Sequence, residues 1–105
     1  MDQNTLHLAR QAAAKRIVFT PHAISQMSRP ERMITSQEVV DTIQTGTQIE
    51  DYPEDARGHS CLILGFGRQN RPIHVVCAPK PDFLAIITAY LPDPAQWSAN
   101  FTTRL

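Results

Sequence analysis

Cysteine is nearly absent: Cys61 and Cys77 are the only two in 105 residues, and two thiols make no disulfide framework. Both fall inside apolar segments that read as strands, so buried reduced thiols are expected. Glycine is scarce as well, four residues in all, and nothing resembles a P-loop, a Gly-rich dinucleotide turn or a G-x-S-x-G elbow. His7, His22, His59 and His74 show no H-x-x-x-H spacing, and no C-x-x-C pair exists, so neither a metal nor a cofactor is expected. No apolar run approaches the length of a membrane span. The N-terminus is polar and lacks an apolar signal-peptide region. These absences point to a cytoplasmic location with no membrane partner. Net charge is zero, which removes any global basic field that would demand nucleic acid.

What is present is a chain long enough for one hydrophobic core, read as a single domain over residues 1–105. Charge is unevenly spread. Residues 1–35 and 56–80 are basic, whereas residues 36–55 hold six acids and no base. Eight of the ten basic side chains are arginine, the residue suited to bidentate phosphate contact; a solvated mixed surface is the plain alternative. The organising stretch is Arg71 to Tyr90, two runs dense in β-branched and aromatic residues and bounded by Pro72, Pro79, Pro81 and Pro92. Such runs predict central strands covered on both faces. If Ala78 lies opposite Leu84, then Val76 faces Ile86 and His74 faces Thr88. That register gathers Ile73, Val75, Cys77, Phe83, Ala85, Ile87, Ala89 and Leu91 on one apolar face.

Leu6, Ala9 and Ala13 at helical spacing predict a helix over residues 4–15, within an N-terminal segment (residues 1–15) that could be peripheral. A short strand covers residues 16–20. Thr20-Pro21 is a helix start, with Ala23, Ile24 and Met27 facing inward and His22, Gln26 and Arg29 on the opposite stripe. Thr35-Ser36-Gln37-Glu38 is a capping box opening a helix that ends at Gly46, a C′ position. Residues 47–52 form an acidic edge strand, and residues 60–66 an apolar one. Trp97 and Phe101 suggest a short C-terminal helix packing back. The expected fold class is α+β, with N-terminal helices on one face of a mostly antiparallel twisted sheet of four to five strands.

Several polar residues could carry chemistry. His22 sits in a first helical turn, where free N–H groups favour anions; an exposed helix-start histidine is the plain alternative. Arg29 and Arg32 bracket Pro30-Glu31 and could present guanidinium groups to phosphate together with Gln26, or pair with Glu31 or Glu38 as a clasp. His74 in an apolar strand could be a satisfied core histidine. Near Tyr90, with an arginine or second histidine in reach, it could be a general acid or base for a ribose hydroxyl proton.

In order and spacing, the chain resembles the bacterial domain-of-unknown-function family 4258. The resemblance is carried by Thr20-Pro21-His22-Ala23, Arg32-Met33-Ile34-Thr35 leading into Glu38-Val39, and Gly46 followed by Ile49-Glu50-Asp51-Tyr52-Pro53. Arg71-Pro72-Ile73-His74-Val75-Val76 and Ile87-Thr88-Ala89-Tyr90-Leu91-Pro92 before Trp97 complete it. That family is similar in layout to the RelE/ParE-like toxin superfold. The resemblance implies two activities: metal-independent cleavage of RNA, or non-catalytic inhibition of a partner protein in a toxin–antitoxin-like or regulatory system. Its implied catalytic site is His22, Arg32, His74, Thr88 and Tyr90; Arg29 joins it through the phosphate argument above. An RNA substrate and an antitoxin protein are the candidate partners. Neutral overall charge and the acidic segment at residues 50–55 run against ribosome-dependent action.

Overall fold

Two threonines set the helical half of the molecule. In the computed structural model, which describes residues 3–105, the Thr20 side chain accepts the Ala23 N–H and opens α2 (Pro21–Met27). Thr35 does the same for Glu38 at the start of α3 (Ser36–Thr45), and the Glu38 carboxylate accepts the Thr35 N–H in return. The expected capping box is therefore present, and it satisfies two N–H groups that a bare helix end would leave unpaired. α3 stops at Gly46, but not through a left-handed cap, since φ there is −80°. Glycine is required because a Cβ would strike the carbonyl oxygens of Thr42 and Leu64.

The first helix, α1 (Asn4–Ala13), precedes the strand β1 (Ile17–Phe19). After α3 come β2 (Thr47–Tyr52), β3 (Ser60–Phe66), β4 (Pro72–Pro79) and β5 (Leu84–Tyr90), with a tight turn at Arg68–Asn70 in which Gln69 and Asn70 take positive φ. The strands form one sheet in the order β1-β5-β4-β3-β2. β1 runs parallel to β5, and the other three pairs are antiparallel. The fold is thus α+β with N-terminal helices and a five-stranded, mostly antiparallel sheet.

α1 is not peripheral. Leu6, Ala9 and Ala12 are buried in the main core, and the Arg10 guanidinium donates to the carbonyls of Ile43 and Gly46. Small alanines let the helix approach the sheet closely, so a thin stripe docks firmly. Met1 and Asp2, the start of the expected N-terminal segment, lie outside the described residues. The helix-side core joins α1, α2 and α3 to Cys61, Ile63, Ile73, Val75, Leu84 and Ile86. Each fully buried aliphatic side chain there contributes roughly 1.5–3 kcal/mol. The opposite face has a smaller core of Leu62, Val76, Ala78, Ile87 and Trp97. Here the C-terminal tail provides the cover. It is not helical: Trp97 bridges Arg104, and Leu105 N–H donates to the Gln96 carbonyl.

The expected β4–β5 register needs correction. His74 pairs with Tyr90, Val76 with Thr88, Cys77 with Ile86 and Ala78 with Ala85. Ile87 is the extra residue of a bulge, which reverses the side-chain alternation along β5. Leu84 and Ile86 therefore face the helices. Ile87 joins the opposite core, and Ala85 floors a hollow beside it. A pattern of strict alternation could not anticipate this. Ile24, expected to face inward, is 53% exposed.

Candidate functional site

The sheet face away from the helices carries most of the expected site residues, but in two separate places. At one end, His74 is completely buried. Its Nε2 lies 2.8 Å from the Phe101 carbonyl; a carbonyl only accepts, so Nε2 carries the proton. Nδ1 is then free to accept from the Tyr90 hydroxyl, 3.3 Å away. The Trp97 ring stands edge-on to the imidazole with centroids 4.4 Å apart, and Tyr90 does the same at 5.3 Å. Burial pushes the His74 pKa down; the Phe101 carbonyl and Glu50 oppose this, and Arg104 adds to it. The ring is a neutral imidazole held on every side.

A polar clasp closes over that pocket. Arg104 lies 4.7 Å above the centre of Trp97, a cation–π contact, and its guanidinium donates to both Glu50 carboxylate oxygens at 2.9 and 3.1 Å. The Tyr52 hydroxyl also donates to Glu50. Burial raises the Glu50 pKa, but the hydrogen bonds from Arg104 and Tyr52 outweigh it and leave the carboxyl below its usual range. For Tyr52, burial and the Glu50 carboxylate together raise the phenol pKa well above its usual value. Burial likewise raises the Tyr90 pKa. Neither tyrosine is poised to lose a proton near neutrality.

At the other end, the tail leaves part of the face open. Ala78, Ala85 and Ile87 floor a hollow of about 230 Å³ rimmed by Thr20, His22 and Arg57. His22 is exposed. Arg57 is engaged by Asp55 through two bonds of 3.0 Å. Ala78 lies four residue steps along β4 from His74, so the two places lie about 13 Å apart along the strand. No single proton relay spans both. α2 has seven residues, too few turns to make a strong anion site, and Thr20 already takes the Ala23 N–H.

Arg29, Arg32 and Gln26 sit elsewhere again, at the turn between α2 and α3, flanked by Met27 and Ile34 of the helix-side core. Gln26 and Arg32 do come together, but with each other: Arg32 Nη1 donates to Gln26 Oε1 at 2.9 Å. Arg29 reaches Glu31 at 4.0 Å with both side chains half exposed or more. Thr88 lies opposite Val76, one pair along from Val75 and Ala89 and two from His74 and Tyr90. Of the expected constellation, the fold brings together His74 with Tyr90 and Gln26 with Arg32. His22 stands apart from both pairs.

Sequence reasoning missed Glu50, Tyr52, Trp97, Phe101 and Arg104 around His74, and Arg57 beside His22. Glu50 and Tyr52 share a strand face by their two-residue spacing, which was a usable signal. In the tail, Trp97 and Phe101 signal a segment that packs back but not that it covers His74, and Arg104 carries no signal. Another missed pair, Glu38 and Arg71, is joined at 2.8 Å, and Arg71 also donates to the carbonyls of Arg32 and Met33 at 2.5 and 3.1 Å. Burial would raise the Glu38 pKa, but Arg71 and the Thr35 and Arg68 N–H groups lower it to about 2. Among the described residues, no three His, Cys, Asp or Glu side chains converge as a metal ligand set, and no helix is long and apolar enough to cross a membrane.

Residues 19–91 match the family described as Domain of unknown function (DUF4258), and the chain belongs to that family. No curated protein and no solved structure gives a match. The matched span contains His22, Arg29, Arg32, His74, Thr88 and Tyr90. It ends before Trp97, Phe101 and Arg104, so the tail's share of the cover over His74 lies outside the family match, whereas Glu50, Tyr52 and Tyr90 lie inside it.

Proposed function

We propose that this chain is a non-catalytic protein-binding module of a toxin–antitoxin-like or regulatory system, with its contact surface on the helix side. The observation that carries this reading is the closure of His74: an imidazole with both nitrogens engaged, no exposure and a lowered pKa lacks the access a general acid or base needs. On the helix side, by contrast, Ile24 and Met33 are each 53% exposed. Ile24 borders a groove of about 340 Å³ that also touches Phe19, Met27 and Ile34. A groove of that kind fits side chains of a partner better than a ribose-phosphate backbone. The reading is tested by incubating the purified protein with RNA in EDTA. The expected result is intact RNA; cleavage that disappears in His74→Asn would reject it.

A second reading, a metal-independent endoribonuclease of RelE/ParE-like layout, is favoured by one observation. His74 and Tyr90 lie together under a tail that falls outside the family match. A displaced tail would open an imidazole and a phenol side by side. In that case Arg104→Ala, which frees the tail from Glu50, should create RNA cleavage that the intact chain lacks. Arg104→Ala protein as inert as the parent removes this second reading.

A further inference from the structure

The two edges of the sheet are finished differently. At β2 the outer side of Gln48 is occupied: the Gln3 side chain accepts the Gln48 N–H at 2.9 Å and donates to its carbonyl at 3.0 Å. Asp51, further along the same strand, accepts from Thr5 and bonds the His59 ring. At β1 the bonds from Leu84 N–H to the Arg16 carbonyl and from Thr20 N–H to the Ile86 carbonyl fix which groups face β5. By the alternation of a strand, Val18 turns both its backbone groups to β5, while those of Ile17 and Phe19 point outward. Among the described residues, those outward groups meet no partner. The Ile17 and Phe19 side chains pack toward the helix-side core, so the groove lined by Phe19, Ile24, Met27 and Ile34, with Ser28, Thr35 and Ser36 on its polar side, lies beside this open edge.

We propose that β1 is a docking edge that receives an extended segment of a different protein. The segment adds as a sixth strand beside β1 and seats an alternate apolar side chain in the groove against Ile24. It carries an acidic residue at the end nearest Arg16. This deepens the protein-binding reading above and rests on it. Backbone pairing to an edge supplies affinity, and pockets for alternate side chains supply selectivity. The acidic preference follows from charge: Lys15 and Arg16 are exposed directly before β1, and Arg29 is exposed beyond the groove. Glu31, next to Arg29, and Asp82, two residues before β5 and so toward the Arg16 end of β1, are the acids of this region. A second copy is a poor occupant. Its acidic edge, β2, is already covered by Gln3 and Thr5, so it has no free acidic strand to offer Lys15 and Arg16.

The test is selection from a displayed library of short random peptides against the whole chain, followed by amide hydrogen exchange with the selected peptides. The expected peptides alternate apolar and polar residues and carry acid at one end. They should slow exchange at the Ile17 and Phe19 amides, lose about tenfold or more in affinity to the exposed-site variant Ile24→Asp, and lose several-fold to Arg16→Glu. Peptides that need Ile24 but leave the Ile17 and Phe19 amides unprotected would overturn strand addition while sparing the binding-module reading. A library that yields no binder would reject the docking edge, and RNA cleavage dependent on His74 would reject the binding-module reading itself. Protection of those amides on self-association alone, with a concentration-dependent dimer, would replace the proposed partner by a second copy.

Discussion

Two glutamate–arginine pairs fasten this molecule, one on each face of the sheet, and they are made of the same groups to different effect. Glu38–Arg71 holds the turn between α2 and α3 against the β3–β4 connection, with side chains only 10% and 18% exposed. Glu50–Arg104 holds the C-terminal tail over His74, with Glu50 at 22% and Arg104 at 61%. The first carboxylate also accepts backbone N–H groups from Thr35 and Arg68. The second shares its partner with water, which screens the attraction. The helix side is therefore locked, whereas the tail side is latched: the cover over His74 rests on a small apolar core and a pair worth little alone.

The comparison is tested hardest at Glu38. A carboxyl held near 2 against an ordinary 4.5 contributes on the order of 1–3 kcal/mol at neutral pH once solvent screening is allowed for. Because the folded pKa is depressed, that contribution is complete above pH 4.5 and is lost as pH falls toward about 2. Glu38→Gln should therefore cost on the order of 1–3 kcal/mol by urea unfolding at pH 7 and flatten the stability profile below pH 4.5. An unchanged midpoint at pH 7 would mean the helix-side pair is no stronger than the other. Arg104→Ala should cost about 1 kcal/mol or less while raising hydrogen exchange selectively in the tail and at His74. A global loss matching that of Glu38→Gln would erase the distinction between lock and latch.

Much of the fold was legible because its signals are local. Thr20-Pro21 and Thr35 with Glu38 fix two helix starts through hydrogen bonds between near neighbours in sequence, and the apolar runs around Val75 and Ile86 could only be central strands. The β4–β5 register was not legible, since a bulge at Ile87 costs one residue and leaves no mark on composition. The docking of α1 is hard to read because two of its core contacts are alanines, which bury little area yet permit close approach. The site was legible only in pieces. His74 and Tyr90 do meet, though as a direct pair where the expected register sets His74 opposite Thr88, and what closes over them comes largely from a tail without strong periodicity. The edge chemistry at β1 depends on which groups β5 leaves free, and that is a property of the assembled sheet.

His74 also sets a pH window distinct from that of Glu38. Its folded pKa is lowered by burial, so the unfolded chain binds more protons below about pH 6.5, and stability falls as pH drops through that value. The most direct measurement is an imidazole nitrogen NMR titration of His74 in the folded protein. A neutral ring protonated at Nε2, with shifts unmoved as pH falls through 6.5, is the expected result. A His74 ring that takes up its proton at or above that pH, in fast exchange with solvent, would contradict a sealed structural histidine and return it to candidacy as a catalyst.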